Sequence, residues 1–204
     1  ETVIVNAARE PEIEDLQTYL RAIGCAVRGA GSSTVCVEGR RETHDAVHTI
    51  MPDRIAAATY LAAVAAAGGE VELENVDCRH LSTVTAALHE GRACLRSRER
   101  LRAIGTVRTA AYPGFPTDAQ ALLMAAMLRA RGSTMFVENI FANRYRHVDE
   151  LRRMGADISV AGRVAVVTGV PRLYGAELRC TDLRGGAAML VAGLSAEGVT
   201  RVGD

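Results

Sequence analysis

The sequence contains no tryptophan and no lysine, and aromatic residues make up only 4% of its 204 residues. All 24 basic residues are therefore arginines, which excludes a lysine nucleophile, a Schiff base and a phosphate-binding lysine from these residues. The formal net charge is zero, without the basic excess of a typical duplex nucleic-acid-binding protein. No apolar run is long enough to span a membrane, and no signal peptide is visible. These absences predict a globular protein that binds neither nucleic acid nor a membrane.

The five cysteines form no C-x-x-C pair, and their number is odd. We interpret them as reduced core thiols of a cytosolic protein, and not as a disulfide framework or a zinc site. A single dense run of basic residues is interpreted as a solvated face, with an anion-binding patch as the alternative. It consists of Arg92, Arg96, Arg98, Arg100 and Arg102.

A sequence pattern repeats three times along the chain. Asp53, Asp118 and Asp182 stand 65 and 64 residues apart. Each aspartate precedes a small-residue, apolar stretch that ends in a glycine, and a strand-like run follows each glycine. The apolar stretches predict helices over residues 56–67, 119–128 and 187–194.

A second set of helical patterns shares the period of the first but is apolar on one face only. These patterns end at Gly24, Gly91 and Gly155. Helices that are apolar nearly all round should be buried, whereas one-sided helices should lie outside. The sequence therefore predicts an α/β fold of layered sheets with inner apolar and outer amphipathic helices. Because the period exceeds that of most solenoid repeats, we expect a closed pseudo-symmetric domain.

The three repeated aspartates stand where helix N-caps belong, since a cap carboxylate accepts a backbone N–H of the first helical turn. Asp118 differs from the other two in the chain that leads to it. Pro113 and Pro116 stiffen that chain and prevent it from being helical. A rigid loop that delivers a carboxylate to a helix start suits an active-site acid, so both a capping and a catalytic role stay open for Asp118.

Several segments along the whole chain resemble the UDP-N-acetylglucosamine 1-carboxyvinyltransferases of the enolpyruvyl transferase family. The most specific is Phe-Pro-Thr-Asp-x-Gln at residues 115–120, preceded by Tyr-Pro-Gly at 112–114. The other matching segments are residues 6–12, 138–144, 147–151, 153–156 and 181–184. The match is collinear and covers essentially the whole chain.

The resemblance implies a fold of two similar domains, each built from three βαβαββ-type units, with the substrates in the cleft between them. It implies transfer of the enolpyruvyl group of phosphoenolpyruvate to the 3-hydroxyl of UDP-N-acetylglucosamine, with release of phosphate. This reaction is the first committed step of peptidoglycan synthesis, which links the protein to cell-wall biogenesis, cell shape and cell division. No metal or organic cofactor is expected, and the expected location is the cytoplasm.

The resemblance also assigns roles to six residues. Asp118 matches the aspartate that contacts the sugar hydroxyl and accepts its proton. Ile140 matches a position whose backbone contacts the UDP-sugar, and Arg144 lies in the matching Asn-Arg motif. Asp182, Leu183 and Arg184 match the segment near bound phosphoenolpyruvate, where an arginine suits a carboxylate or a phosphate. Arg144 and Arg184 have a structural ion pair as their alternative role.

The resemblance assigns residues 1–42 to the end of the first domain and residues 43–204 to most of the second. The family's mobile loop with its reactive cysteine and its N-terminal lysine and asparagine belong to an earlier part of the chain. We therefore expect a partial chain that is inactive alone. Strands left without neighbours would tend to self-associate or to associate with the missing N-terminal part.

Two other interpretations of the function stay open. The first is a non-catalytic module that binds a UDP-sugar or another chain, and the second is the related 5-enolpyruvylshikimate-3-phosphate synthase. His44 and His48 have the i, i+4 spacing of metal ligands. They fall where the resemblance implies extended chain, so no metal site is predicted.

Overall fold

The computed structural model describes residues 1–39, 42–81, 88–89, 92–180 and 182–203. The chain forms two units by its internal contacts. The first unit comprises residues 1–52 and 111–114, and the second comprises residues 53–110 and 115–204. The assignment of residues 1–42 and 43–204 to two domains of a larger protein stays a prediction. No helix within the described ranges is long and apolar enough to cross a membrane.

The first unit is a three-stranded antiparallel sheet with one helix. Its elements are β1 (Thr2–Val5), α1 (Pro11–Ala22), β2 (Ala26–Arg28) and β3 (Thr34–Glu38), and β3 lies between the other two strands. Pro11 fits the first turn of α1 because its missing N–H has no helical partner there. The chain turns after α1 at Gly24, whose φ of +97° confirms the predicted helix stop.

The second unit holds the remaining helices and strands of the described chain. They are α2 (Arg54–Ala67), β4 (Gly69–Glu74), α3 (Cys78–Leu81), β5 (Leu88–His89), β6 (Arg92–Ser97), β7 (Gly105–Arg108), α4 (Thr117–Met127), β8 (Ser133–Val137), α5 (Val148–Arg153), β9 (Asp157–Ala161), β10 (Val164–Thr168), β11 (Glu177–Arg179), α6 (Leu183–Gly193) and β12 (Arg201–Gly203). The strands form sheets in the orders β4-β6-β5, β7-β8-β10-β9 and β11-β12.

The three helices that follow the repeated aspartates, α2, α4 and α6, pack against one another. On α4 nearly every side chain is buried, including Leu122, Met124 and Met127. Helix α5 is one-sided, with Val148 and Leu151 buried and Asp149, Arg152 and Arg153 exposed. The predicted division into inner apolar and outer amphipathic helices is confirmed for these elements, and with it the α/β fold.

The helix predicted before Gly91 is wrong in its last part. Leu88 lies in β5, where it pairs with Ala93 of β6 in an antiparallel ladder. The ladder gives the backbone of Leu88 a cross-strand partner, so local helical periodicity does not decide its conformation. Helix α3 ends at Leu81, and residues 82–87 lie outside the described residues.

The basic run belongs to the framework of the second unit. Arg92 and Arg96 of β6 form exposed ion pairs with glutamates of the neighbouring strand β4. The Arg100 guanidinium donates to the backbone carbonyls of Arg129 and Ala130 and of the segment 169–170. These contacts favour the structural interpretation of Arg92, Arg96 and Arg100 over an anion-binding patch.

Gly169, at the end of β10, is expected to tolerate no larger residue. A Cβ placed there would lie 1.7 Å from the carbonyl oxygen of Ala130, so the backbone must shift. Because overpacking costs about 1–3 kcal/mol, Gly169→Ala should lower the free energy of unfolding by about that much in urea titrations. Gly39→Ala is the control, since a Cβ there meets none of the described residues within 4 Å. Equal stability of the two variants would contradict this packing.

Candidate active site

The two outer repeated aspartates cap their helices as predicted, and Asp118 does not. Asp53 accepts hydrogen bonds from the first-turn N–H groups of α2, and Asp182 does the same at α6. In α4 the cap position is taken by Pro116, whose extended backbone lets the helix begin at Thr117. Asp118 is thus the second helical residue and makes no cap hydrogen bond. Of the two roles that the sequence left open for Asp118, the structure does not show the capping role.

The Asp118 carboxylate lies between two arginines. Its Oδ1 accepts a hydrogen bond from Nη2 of Arg144 at 2.6 Å, and its Oδ2 accepts one from Nη2 of Arg184 at 3.2 Å. The carboxylate is 40% exposed, whereas the side chains of Arg144 and Arg184 are 20% and 28% exposed. Three of the residues predicted from the sequence therefore meet at a partly open site. We call these three residues the Asp118 cluster.

Arg144 is held by the loop between β8 and α5. Its guanidinium lies over the ring of Phe141, 5.6 Å from the ring centroid. Asn143 adopts a left-handed backbone with φ of +56°, a conformation that asparagine tolerates better than most residues. This turn and the ring direct the Arg144 side chain towards Asp118.

Arg184 belongs to the first turn of α6, which the Asp182 carboxylate caps at 2.8–3.0 Å. Leu183 is 76% exposed. The glycines that follow Arg184 allow close packing at this helix start. A Cβ on Gly185 would come within 3.0 Å of both His147 and the Asp182 carboxylate. The start of α6 can therefore approach the Asp118 cluster closely.

Ile140 has its backbone N–H engaged within the protein. The amide donates to Oε1 of Glu138 at 2.9 Å, and the side chain is 40% exposed. A backbone contact between Ile140 and a ligand would therefore use the carbonyl oxygen of Ile140 and not its N–H.

Glu138 is a buried residue of this region that sequence reasoning did not single out. It directly follows β8, is 1% exposed, and accepts four hydrogen bonds within the protein. In the sequence it is the first residue of the matching segment 138–144 and one half of a Glu-Asn pair that also occurs at residues 74–75. The other copy, Glu74, has a 72% exposed side chain that pairs with Arg92. The pattern could not reveal which of the two glutamates is buried.

His147 lies behind Arg144 at the start of α5 and is 1% exposed. Burial lowers the pKa of its imidazole from 6.5 to about 4, because the charged form loses its hydration. The negative charge of Asp182 opposes this shift, and the positive charge of Arg144 adds to it. The imidazole is therefore neutral around pH 7. Its Nε2 has no hydrogen-bond partner among the described residues.

The described part of the chain contains no group of three His, Cys, Asp or Glu side chains that could hold a metal ion. His48 instead contacts the carboxylate of Asp15 at 3.1 Å and the ring of Tyr19. An apolar cavity of about 530 Å³ lies between α2, β6, β7 and α4, and the Asp118 cluster does not line it.

The repeated architecture is that of the enolpyruvyl transferases. The structure aligns with an enolpyruvyl transferase NikO from Streptomyces tendae with a TM-score of 0.76 and 23% identity, over 98% of this chain and 50% of that one. It also aligns with an EPSP synthase from Acinetobacter baumannii with a TM-score of 0.62 and 19% identity, over 91% of this chain and 48% of that one. These likenesses show the fold.

The family model for EPSP synthase (3-phosphoshikimate 1-carboxyvinyltransferase) matches residues 1–204, so the chain belongs to that family. Within it, the chain is 47% identical to UDP-N-acetylglucosamine 1-carboxyvinyltransferase 1 of Caldanaerobacter subterraneus subsp. tengcongensis, over 100% of this chain and 51% of the relative. It is 44% identical to UDP-N-acetylglucosamine 1-carboxyvinyltransferase 2 of Bacillus subtilis, over 98% of this chain and 49% of the relative. The chain thus spans about half the length of these relatives. The resemblance stated from the sequence is confirmed.

Proposed function

We propose that the protein containing this chain transfers the enolpyruvyl group of phosphoenolpyruvate to the 3-hydroxyl of UDP-N-acetylglucosamine and releases phosphate. The observation that carries the proposal is the Asp118 carboxylate, which is held between Arg144 and Arg184 at a partly open site. The names of the relatives at 44–47% identity favour the UDP-sugar as the acceptor. The reaction would serve peptidoglycan synthesis in the cytoplasm without a cofactor.

Asp118 is proposed to accept the proton of the sugar hydroxyl as the hydroxyl oxygen bonds to the phosphate-bearing carbon of phosphoenolpyruvate, while the C=C bond takes up a proton at its CH2 carbon. The tetrahedral intermediate then loses phosphate and a proton from that carbon, which restores the C=C bond. Arg144 keeps the carboxylate in place through the shorter of the two contacts, 2.6 Å. The longer contact, 3.2 Å to Arg184, is the one that an anionic substrate can replace. A phosphate or carboxylate bound to Arg184 would free Oδ2 of Asp118 for the hydroxyl proton.

The other predicted residues are proposed to line the same site. Asp182 and Leu183 lie beside Arg184 and would border phosphoenolpyruvate, with the Asp182 carboxylate turned towards its own helix. Ile140 would contact the UDP-sugar through its carbonyl. The cysteine loop that completes the family's site would belong to an earlier part of the protein.

The proposal is tested by measuring phosphate release from phosphoenolpyruvate with two acceptors. The complete protein should release phosphate with UDP-N-acetylglucosamine and not with shikimate 3-phosphate, and residues 1–204 alone should release none. Release with shikimate 3-phosphate only would assign the other branch of the family. Calorimetric binding of the UDP-sugar without turnover by the complete protein would indicate a non-catalytic module.

A further inference from the structure

Glu138 is buried in the second unit, where a carboxylate destabilises the fold unless its oxygens accept hydrogen bonds. Its Oε1 accepts from the Thr109 hydroxyl at 2.9 Å and from the N–H groups of Ile140 and Phe141 at 2.9 and 3.1 Å. Its Oε2 accepts from the Thr117 hydroxyl at 2.9 Å. A carboxyl group has about four acceptor positions, and the four donors, three at Oε1 and one at Oε2, engage both oxygens of Glu138.

The donors come from three segments that together carry the site. Thr117 is the first residue of α4 and directly precedes Asp118. Phe141 carries the ring under the Arg144 guanidinium. Thr109 directly follows β7 and also accepts a hydrogen bond from the N–H of Asn139 at 2.8 Å. Glu138 thus joins the helix that bears Asp118 to the loop that bears Arg144.

The repeat itself does not require a buried carboxylate at this place. Glu74 occupies the matching place after the apolar helix of the preceding repeat, where its side chain is 72% exposed and forms a surface ion pair with Arg92. The buried glutamate, Glu138, occurs in the repeat that contains Asp118 and Arg144. This contrast favours a role at the site over a role in the general architecture.

We propose that Glu138 is a positioning residue that fixes the distance between Asp118 and Arg144 through its four hydrogen bonds. It touches no reacting atom and acts through Thr117 on one side and the Ile140–Phe141 segment on the other. The role rests on hydrogen-bond geometry and not on charge. The part of the test that uses turnover rests on the proposed function.

The test compares two substitutions of Glu138 in the complete protein. Glu138→Gln keeps one acceptor oxygen for Thr109, Ile140 and Phe141, and its amide can donate to the Thr117 hydroxyl. It should retain kcat within about threefold. Glu138→Ala removes all four hydrogen bonds and should lower kcat by about 30-fold or more, as misplaced catalytic groups do. Glu74→Ala, at the exposed counterpart, should leave kcat unchanged.

Thr117→Val is the second variant, used if Glu138→Ala does not fold. It removes only the hydroxyl that donates to Glu138 and keeps the size of the side chain. It should lower kcat about fivefold, with KM for both substrates within twofold. Wild-type kcat in a folded Glu138→Ala or Thr117→Val protein would overturn the proposal. Equal losses in Glu138→Gln and Glu138→Ala would also overturn it, since the charge would then be what matters.

A crystal structure of Thr117→Val separates this proposal from the proposed function. The contact between Asp118 Oδ1 and Arg144 Nη2, 2.6 Å here, should lengthen beyond hydrogen-bond range. That outcome supports the positioning role even if the wild-type protein turns over no UDP-sugar. An unchanged contact would contradict the positioning role even if the wild-type protein is fully active.

Discussion

Replacing Asp118 by asparagine in the complete protein is expected to lower kcat for phosphate release by about 10²–10⁴-fold, the usual contribution of a positioned general base. The amide keeps the shape of the side chain but cannot accept the hydroxyl proton. It also loses the charge that holds Arg144 and Arg184. Phosphate release under saturating substrates, followed in a coupled assay, measures the effect.

Asp53→Asn is the matched control for Asp118→Asn. Asp53 stands one repeat earlier and caps α2 through the N–H groups of Ile55 and Ala56. Because asparagine caps helices about as well as aspartate, this variant should keep both its stability and its turnover. Full activity of Asp118→Asn would remove the proton-acceptor role. Equal losses at both positions would point to a shared structural role.

His147 is expected to make the protein less stable in acid. The pKa of its imidazole is 6.5 in the unfolded chain and about 4 in the folded one. Between these values the unfolded chain binds the extra proton, so the free energy of unfolding falls as the pH drops from 6.5 to 4. At about 1.4 kcal/mol per pKa unit, the loss from this residue approaches about 3 kcal/mol. Urea titrations at several pH values measure it.

His147→Gln should remove this part of the pH dependence, because glutamine does not titrate. The control His48→Gln, at a partly exposed histidine, should leave this part of the pH dependence unchanged. The groups that face the imidazole, Asp182 and Arg144, stay unchanged in both variants. An unaltered slope between pH 4 and 6.5 in His147→Gln would show that other groups govern the acid response. A flattened slope in both variants would show that the effect does not belong to His147.

Much of the fold could be predicted from the chain because its helices are marked by local chemistry. The spacing of the repeated aspartates and the fully apolar stretches after them predicted α2, α4 and α6 and their burial. The strand at Leu88 was missed because its partner, Ala93, lies on the neighbouring strand β6, and a cross-strand ladder leaves no helical or strand-like period in a two-residue segment.

The sequence predicted which residues belong to the candidate site but not how those residues are arranged in space. The resemblance named Asp118, Arg144 and Arg184, which the structure brings into contact. It gave no sign that Glu138 is buried behind them, since the similar pair at Glu74 is exposed. Burial depends on which elements pack over a residue, and that information is spread over distant parts of the chain.

The sequence by itself determined the repeat, the helix starts at Asp53 and Asp182, and the identity of the residues around Asp118. The helix starts depend on neighbours within one or two helical turns, where capping and periodicity act. Only the tertiary structure decided that Asp118 does not cap its helix. With Pro116 as the cap, α4 begins at Thr117, two residues before the start that an Asp118 cap would give, and arginines 26 and 66 residues away in the chain then bind the carboxylate. Long-range ion pairs of this kind depend on the packing of α4 against α6 and the β8–α5 loop.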